Sequence, residues 1–214
     1  LKDGLGRISA ERITHELLRI FTGPRLSFVL PALARDGMFE VVFDNPAAAE
    51  TALRTAEICT ATDHCSAELM LAAFYRDSSA AVAKLRLSRQ QARLVAEISR
   101  GAAWLADGVE ELRAKELLYR KGADVFRQAA ALAQARGVPA PAPGWADVIT
   151  LPDRWTAPAF PLAAADFKAA GLSEGPTLGK ALRRAERQWI DADFPQDAQV
   201  VAKICADVVT QLTD

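Results

Sequence analysis

Prolines constrain the fold of this chain more than any other residue type. They cluster between Gly137 and Pro161, a segment that carries Pro139, Pro141, Pro143, Pro152 and Pro158. Proline has no backbone N–H and its ring clashes with the preceding helical turn, so this density excludes a long helix or a central strand. We therefore predict a proline-rich linker over residues 138–161, with a structural unit on each side of it.

The rest of the chain has the patterning of amphipathic helices. Apolar residues recur every three or four positions after Ser9, which can cap a helix. Ser88 and Gln91 form an S-x-x-Q capping box that opens another helix, and Gly122 separates two more. The run MFEVVF at residues 38–43 resembles a strand but is short and isolated, so we predict a turn or short helix there. These patterns predict an all-α fold, with an elongated multi-helical body and a smaller helical tail.

Composition excludes several classes of protein. Among the 214 residues no apolar run approaches the roughly 18 needed to span a membrane, so we expect a soluble, cytoplasmic protein. The net charge of -1 gives no global reason for nucleic-acid binding, which only a local clustering of charge can support. The three cysteines, Cys59, Cys65 and Cys205, are odd in number and irregularly spaced, so we predict buried, inert thiols in a reducing compartment.

The sequence contains no complete active-site motif. Its two histidines, His15 and His64, lack metal-ligand spacing with Cys, Asp or Glu. The G-x-S-x-G, P-loop and G-x-G-x-x-G patterns are absent, as is a D-x-D pair on a plausible strand. Metal-dependent phosphoryl chemistry needs such acidic ligands. We therefore predict no catalytic residue, no metal site and no cofactor in this chain, which should be inactive alone.

Two predicted helices carry basic faces. The first face begins just before the capping box and comprises Lys84, Arg86, Arg89 and Arg93, with Arg100 further along. The second comprises Lys180, Arg183, Arg184 and Arg187. A single such face is usually an ordinary solvated surface, and that alternative stays open. Two of them in a nearly neutral chain favour contact with phosphates, so we select these residues, apart from Arg100, as candidate RNA-binding residues.

Aromatic residues do not interleave with these cations in the sequence. Stacking on bases is therefore not expected, and recognition of a phosphate backbone is the more natural function of the basic faces. The tryptophans are predicted to be core anchors: Trp104, Trp145, Trp155 and Trp189.

Three stretches, in order along the chain, resemble one family. They are residues 7–17 (RISAERITHEL), 84–94 (KLRLSRQQARL) and 160–194 (FPLAAADFKAAGLSEGPTLGKALRRAERQWIDADF). They are similar to the end of the neck, the body and the tail of bacterial CCA-adding tRNA nucleotidyltransferases and related poly(A) polymerases. One departure is Ala164, which stands where the family usually has a glycine before the aspartate, here Asp166.

The resemblance implies a domain layout in which catalysis lies elsewhere. Residues 1–45 would be the end of the neck, 46–137 the helical body and 162–214 the tail. The family's metal-binding carboxylates, Mg²⁺ and CTP or ATP belong to an N-terminal head domain, which we expect upstream of this chain. By the same resemblance, a set of neck residues would support the nucleotide-selecting helix without touching substrate: Arg7, Ser9, Glu11, Arg12 and Glu16.

The resemblance also implies a partner. We expect the chain to bind tRNA by its backbone and to position it for the parent enzyme's own head domain, with no DNA and no membrane as partner. Two alternatives stay open. One is the C-terminal region of a poly(A) polymerase, and the other is a non-catalytic helical RNA-binding or scaffold protein whose basic faces keep it soluble.

Overall fold

The computed structural model describes residues 8–43, 48–62, 65–75, 83–107, 110–137 and 144–213. Throughout this described part the regular structure is helical and no strand is present, which confirms the all-α prediction. None of the described helices has the length and apolar character needed to cross a membrane. The chain divides into two compact units, residues 1–155 and residues 156–214.

The described residues of the first unit form helices α1 to α9. Their bounds are Ala10–Phe21 (α1), Leu26–Arg35 (α2), Met38–Phe43 (α3), Ala48–Thr62 (α4), Ala67–Phe74 (α5), Arg89–Ala106 (α6), Glu111–Ala135 (α7), Trp145–Ile149 (α8) and Leu151–Arg154 (α9). Helix α3 confirms the short helix predicted for the MFEVVF run. Within α7, Gly122 has φ 79° and ψ 169°, outside the helical region, so two helical segments meet there as predicted.

Helix α1 is fixed at both ends. The hydroxyl of Ser9 accepts a hydrogen bond from the Arg12 N–H, as the predicted cap requires. The buried Thr14 hydroxyl donates to the Leu85 carbonyl at 2.6 Å, which ties α1 to the segment preceding α6. Phe21, at the other end, stacks on Phe74 of α5 with ring centroids 5.8 Å apart. Helix α1 is therefore an integral part of the core of the first unit.

Helices α6 and α7 form the most extensive helix–helix contact among the described residues of the first unit. The capping box is present as predicted: Gln91 N–H donates to the Ser88 hydroxyl, and the Gln91 side chain accepts from Ser88 N–H. Further along α6, Gly101 is buried against α7. A Cβ atom at Gly101 would lie 2.8 Å from the Cβ of Ala129, so only glycine permits this approach of the two helices.

Part of the predicted linker is helical. Pro139, Pro141 and Pro143 lie outside the described residues, but residues 145–154 form α8 and α9, with Trp145, Val148 and Leu151 buried. Pro152 occupies the first turn of α9, where its missing N–H has no intrahelical partner to lose. The prediction of a linker is therefore wrong for residues 145–154, which belong to the first unit.

The described residues of the second unit form three helices. Their bounds are Ala164–Ala169 (α10), Pro176–Asp191 (α11) and Ala198–Thr213 (α12). Trp189 is fully buried, contacts Phe194 edge-on at 4.9 Å between ring centroids, and donates its indole N–H to the Pro195 carbonyl at 2.8 Å. The carboxylate of Asp166 accepts from the Ala163 N–H at 2.7 Å and so caps α10.

Candidate nucleic-acid interface

The predicted neck residues lie at the start of the first unit, except Arg7, which lies outside the described residues. Glu11 pairs with Arg86, and a backbone hydrogen bond together with this cation lowers the pKa of the Glu11 carboxyl. Arg12 and Glu16 border a groove of about 330 Å³ whose walls are otherwise apolar side chains of residues 8–43. Support of a further helix by these residues stays a prediction.

The first basic face is only partly available for a ligand. Arg86 pairs with Glu11, and Arg93 pairs with Glu97 at 3.2 Å. Arg89 and Arg100 are exposed and have no ion pair within the described part of the chain. Lys84 is half-buried and contacts other residues. Of the cations on this face, Arg89 and Arg100 are therefore the most open to a phosphate.

A buried carboxylate organises the cations between α6 and α7. Glu97 is 8% exposed and accepts hydrogen bonds from Lys121 at 3.0 Å and from Arg93 at 3.2 Å. Burial alone would raise the pKa of Glu97, but the hydrogen bonds and charges of Lys121 and Arg93 outweigh it and lower the pKa. Lys121 thus lies beside the first basic face although it is 24 residues further along the chain.

Glu97 should make stability depend on pH. Because its pKa is lower in the folded state, its contribution is fully present above the ordinary value of 4.5 and is lost as the pH falls through the folded pKa. We expect Glu97→Gln to lower the free energy of unfolding by about 1–3 kcal/mol at neutral pH. Denaturant titrations over a range of pH should show this difference shrinking below pH 4.5.

The matched control is Glu50→Gln, which removes another carboxylate from a pair spaced four residues apart, Glu50 and Arg54 at 2.6 Å. Both of these side chains are more than half exposed, so the expected change stays within about 0.5 kcal/mol. Equal effects of the two substitutions, or a Glu97→Gln effect that is independent of pH, would contradict the role given to Glu97.

The tryptophans differ in burial. Trp145 and Trp189 are buried, as predicted for core anchors. Trp155 is half-buried, with the Lys115 ammonium 5.9 Å from its ring centroid. Trp104 is 41% exposed, so its interpretation as a core anchor is wrong. Arg113 of α7, which is not one of the predicted basic-face residues, lies over the Trp104 ring at 5.8 Å.

The second basic face is the most open cationic surface among the predicted residues. Lys180, Arg183 and Arg184 are exposed on α11, and none of them has an ion pair with any described residue. Arg187 differs, because its guanidinium pairs with Asp191 at 2.7 Å. The opposite side of α11 is buried through Leu178, Ala181, Ala185 and Trp189. The helix therefore packs with one face and presents its cations to solvent with the other.

The cysteines and histidines offer no site in the described residues. Cys59 and Cys205 are buried as predicted, whereas Cys65 is exposed, so burial was wrongly predicted for that thiol. A hydrogen bond between Cys59 and Cys65, with burial, raises the pKa of Cys59, and the same hydrogen bond lowers the pKa of Cys65. His64 lies outside the described residues. The described residues include no cluster of three or more potential metal ligands.

Comparison with known families gives one match. Residues 1–50 match the family model described as "Probable RNA and SrmB- binding site of polymerase A". This segment resembles an RNA-binding region of the poly(A) polymerase family. It contains α1 to α3 and the apolar groove, whereas both basic faces lie beyond it. No curated protein in the comparison matches the chain.

Proposed function

We propose that this chain is the RNA-binding part of a tRNA nucleotidyltransferase, which positions tRNA while a head domain of the parent enzyme adds CCA, or part of it, to the 3′ end. The observation that carries this proposal is the face of α11, where Lys180, Arg183 and Arg184 are exposed and, in the described structure, without ion pairs. The match of residues 1–50 to an RNA-binding model supports RNA as the ligand.

The chemistry of the α11 face suits an RNA backbone. Arg183 and Arg184 lie three and four residues after Lys180, which at the rise of an α-helix places them roughly 5 Å from Lys180 along the axis. Neighbouring side chains can thus engage neighbouring phosphates of one strand. Base-paired RNA offers its phosphates, 2′-hydroxyls and shape more readily than its base edges, so a cationic helix face can measure tRNA without reading its sequence.

The catalytic chemistry is assigned to the parent enzyme and not to this chain. Its head would bind Mg²⁺ with CTP and ATP, which supply the metal-assisted nucleotidyl transfer. The described residues hold no cluster of three or more potential metal ligands, so they do not fit such a site. We therefore expect this chain alone to be inactive. We propose the cytoplasm as its location, which is consistent with an odd number of irregularly spaced cysteines.

Two alternatives remain. The match of residues 1–50 favours the RNA-binding region of a poly(A) polymerase. On this alternative the RNA ligand would be an unstructured 3′ end in place of a folded tRNA. A non-catalytic helical RNA-binding or scaffold protein is the other. Higher affinity for an unstructured RNA than for a folded tRNA of equal length would favour the poly(A) polymerase alternative over the tRNA proposal. Binding to neither RNA would favour a scaffold without an RNA ligand.

The direct test is a titration of the chain with tRNA at several salt concentrations. Contact with three to six phosphates predicts that log K falls with log[salt] with a slope of about -2 to -5. Fluorescence anisotropy with labelled tRNA, with unstructured RNA and with duplex DNA of matched length measures both slope and preference. We expect the highest affinity for tRNA. Absence of salt-dependent tRNA binding, or an equal affinity for the DNA, contradicts the proposal.

A further inference from the structure

Trp104 is an exposed aromatic side chain within a group of cations. It lies on α6, four residues after Arg100 and eleven after Arg93, spacings that place all three side chains on one face of the helix. The Trp104 side chain is 41% exposed, although a large indole usually buries its apolar surface. Arg113 lies over its ring at 5.8 Å. Such an aromatic group within a basic surface is typical of sites that bind nucleotides.

A small cleft adjoins the indole. It measures about 170 Å³ and lies between α6 and α7, where it is lined by Glu97, Arg100, Gly101, Trp104, Glu116, Leu117, Arg120 and Lys121. Arg113 does not line the cleft. Trp104 is 41% exposed and borders the cleft, so part of its indole is accessible to a ligand there.

The charges around the cleft favour an anion. The buried carboxylates are already paired, Glu97 with Lys121 at 3.0 Å and Glu116 with Arg120 at 2.8 Å. Arg100 is exposed and has no ion pair within the described part of the chain. Cations thus outnumber carboxylates at the cleft, and Arg100 is placed to neutralise a phosphate next to the indole.

The size of the cleft limits what can enter it. Its volume of about 170 Å³ lies below the roughly 300 Å³ at which pockets for whole small molecules begin. A single planar ring fits such a space, with the rest of its ligand outside. An aromatic side chain of a protein would use the indole but not the surrounding cations. An unpaired nucleotide uses both, because it carries a π-face for stacking and a phosphate for Arg100.

We propose that Trp104 stacks on one unpaired base of the bound RNA while Arg100 contacts an adjacent phosphate. This inference rests on the proposed RNA-binding function and deepens it, because it states which RNA the surface selects. Phosphate contacts alone accept any helical backbone, whereas a stacking platform favours a loop, bulge or end whose base is free. The first unit thus recognises an unpaired position in addition to the backbone.

The test compares Trp104→Leu and Trp104→Phe with the wild-type chain. We expect Trp104→Leu to lower the affinity for a short single-stranded RNA by roughly five- to one-hundred-fold, since stacking on an aromatic side chain contributes that much per base. Affinity for a long RNA duplex should stay within about twofold, because its interior bases are stacked on one another and cannot stack on the indole. Trp104→Phe keeps an aromatic ring and should therefore lose less affinity for the single-stranded RNA than Trp104→Leu does. The matched control is Trp155→Phe, which makes the same change beside another cation, Lys115.

An RNA with abasic positions separates stacking from a structural effect. Wild type and Trp104→Leu should bind the abasic RNA equally, and the salt slope should be the same for both chains because stacking releases no counterions. If the wild-type chain binds single-stranded RNA and Trp104→Leu binds it equally well, the stacking proposal is overturned and the proposed RNA-binding function is not. An equal loss on single-stranded, duplex and abasic RNA overturns it as well. Failure of the wild-type chain to bind any RNA overturns the proposed function and the stacking together.

Discussion

The triple variant Lys180→Glu, Arg183→Glu, Arg184→Glu should bind tRNA at least roughly one-hundred-fold more weakly than the wild-type chain at low salt. Each of these side chains is exposed and without an ion pair in the described structure. Each can therefore displace one counterion from RNA without first breaking an internal contact. Reversal of the charge removes three contacts and adds repulsion, so the magnitude of the salt slope should fall by about 2–3.

The fold should survive this change. The three substituted side chains lie on the solvent side of α11, whereas Trp189 and the other apolar side chains of the helix are buried on the opposite side. Circular dichroism of the triple variant should thus match the wild type. Unchanged tRNA affinity together with an unchanged salt slope would show that this face does not touch RNA.

Arg187 supplies an internal control on the same helix face. Its guanidinium is held by Asp191 at 2.7 Å, so its charge is already compensated and its removal costs little in phosphate binding. We expect Arg183→Gln to weaken tRNA binding several-fold and Arg187→Gln to weaken it less. The reverse order would mean that pairing within the helix does not decide which cations are available, and the selection of Lys180, Arg183 and Arg184 would fail.

Most of the helix boundaries were predictable because their signals are local. The Ser88 and Gln91 capping box and the Ser9 cap depend on atoms within three residues of one another, and both form as predicted. Gly122 interrupts α7 for the equally local reason that it adopts a positive φ. The helices at residues 145–154 were missed because a proline in the first helical turn does not break a helix, and proline density alone does not reveal its position in a turn.

The composition of the basic surfaces was less predictable. The pairing of Arg93 with Glu97 occurs four residues apart and was visible in the sequence, but the burial of Glu97 and its bond to Lys121 require the packing of α6 on α7. Trp104 gave one local signal, its position four residues after Arg100 on the same helix face. That spacing became informative only when the structure showed the indole exposed and Arg113 above it.

Gly101→Val should lower the free energy of unfolding of the first unit by about 3 kcal/mol, because it forces side-chain atoms into a filled interface. A Cβ atom added at this position would lie 2.8 Å from the Cβ of Ala129 and 3.4 Å from a methyl group of Leu117. The Ala129 methyl cannot rotate away, so α6 and α7 must separate. Because α6 carries Arg100 and Trp104, the same displacement should disturb the cleft and weaken binding of single-stranded RNA.

A double-mutant cycle shows whether this close approach is the cause. Gly179→Ala on α11 is the control, since its Cβ would meet only the Arg183 side chain at 3.6 Å. It should be neutral or stabilise the second unit by up to about 1 kcal/mol through helix propensity. Gly101→Ala should destabilise the wild-type chain but should cost about 1–2 kcal/mol less in an Ala129→Gly background, because the clashing methyl is then absent. If the effects of Gly101→Ala and Ala129→Gly simply add in thermal or denaturant unfolding, the contact between these two residues does not set the α6 to α7 spacing. The cleft beside Trp104 must then be held open by other contacts.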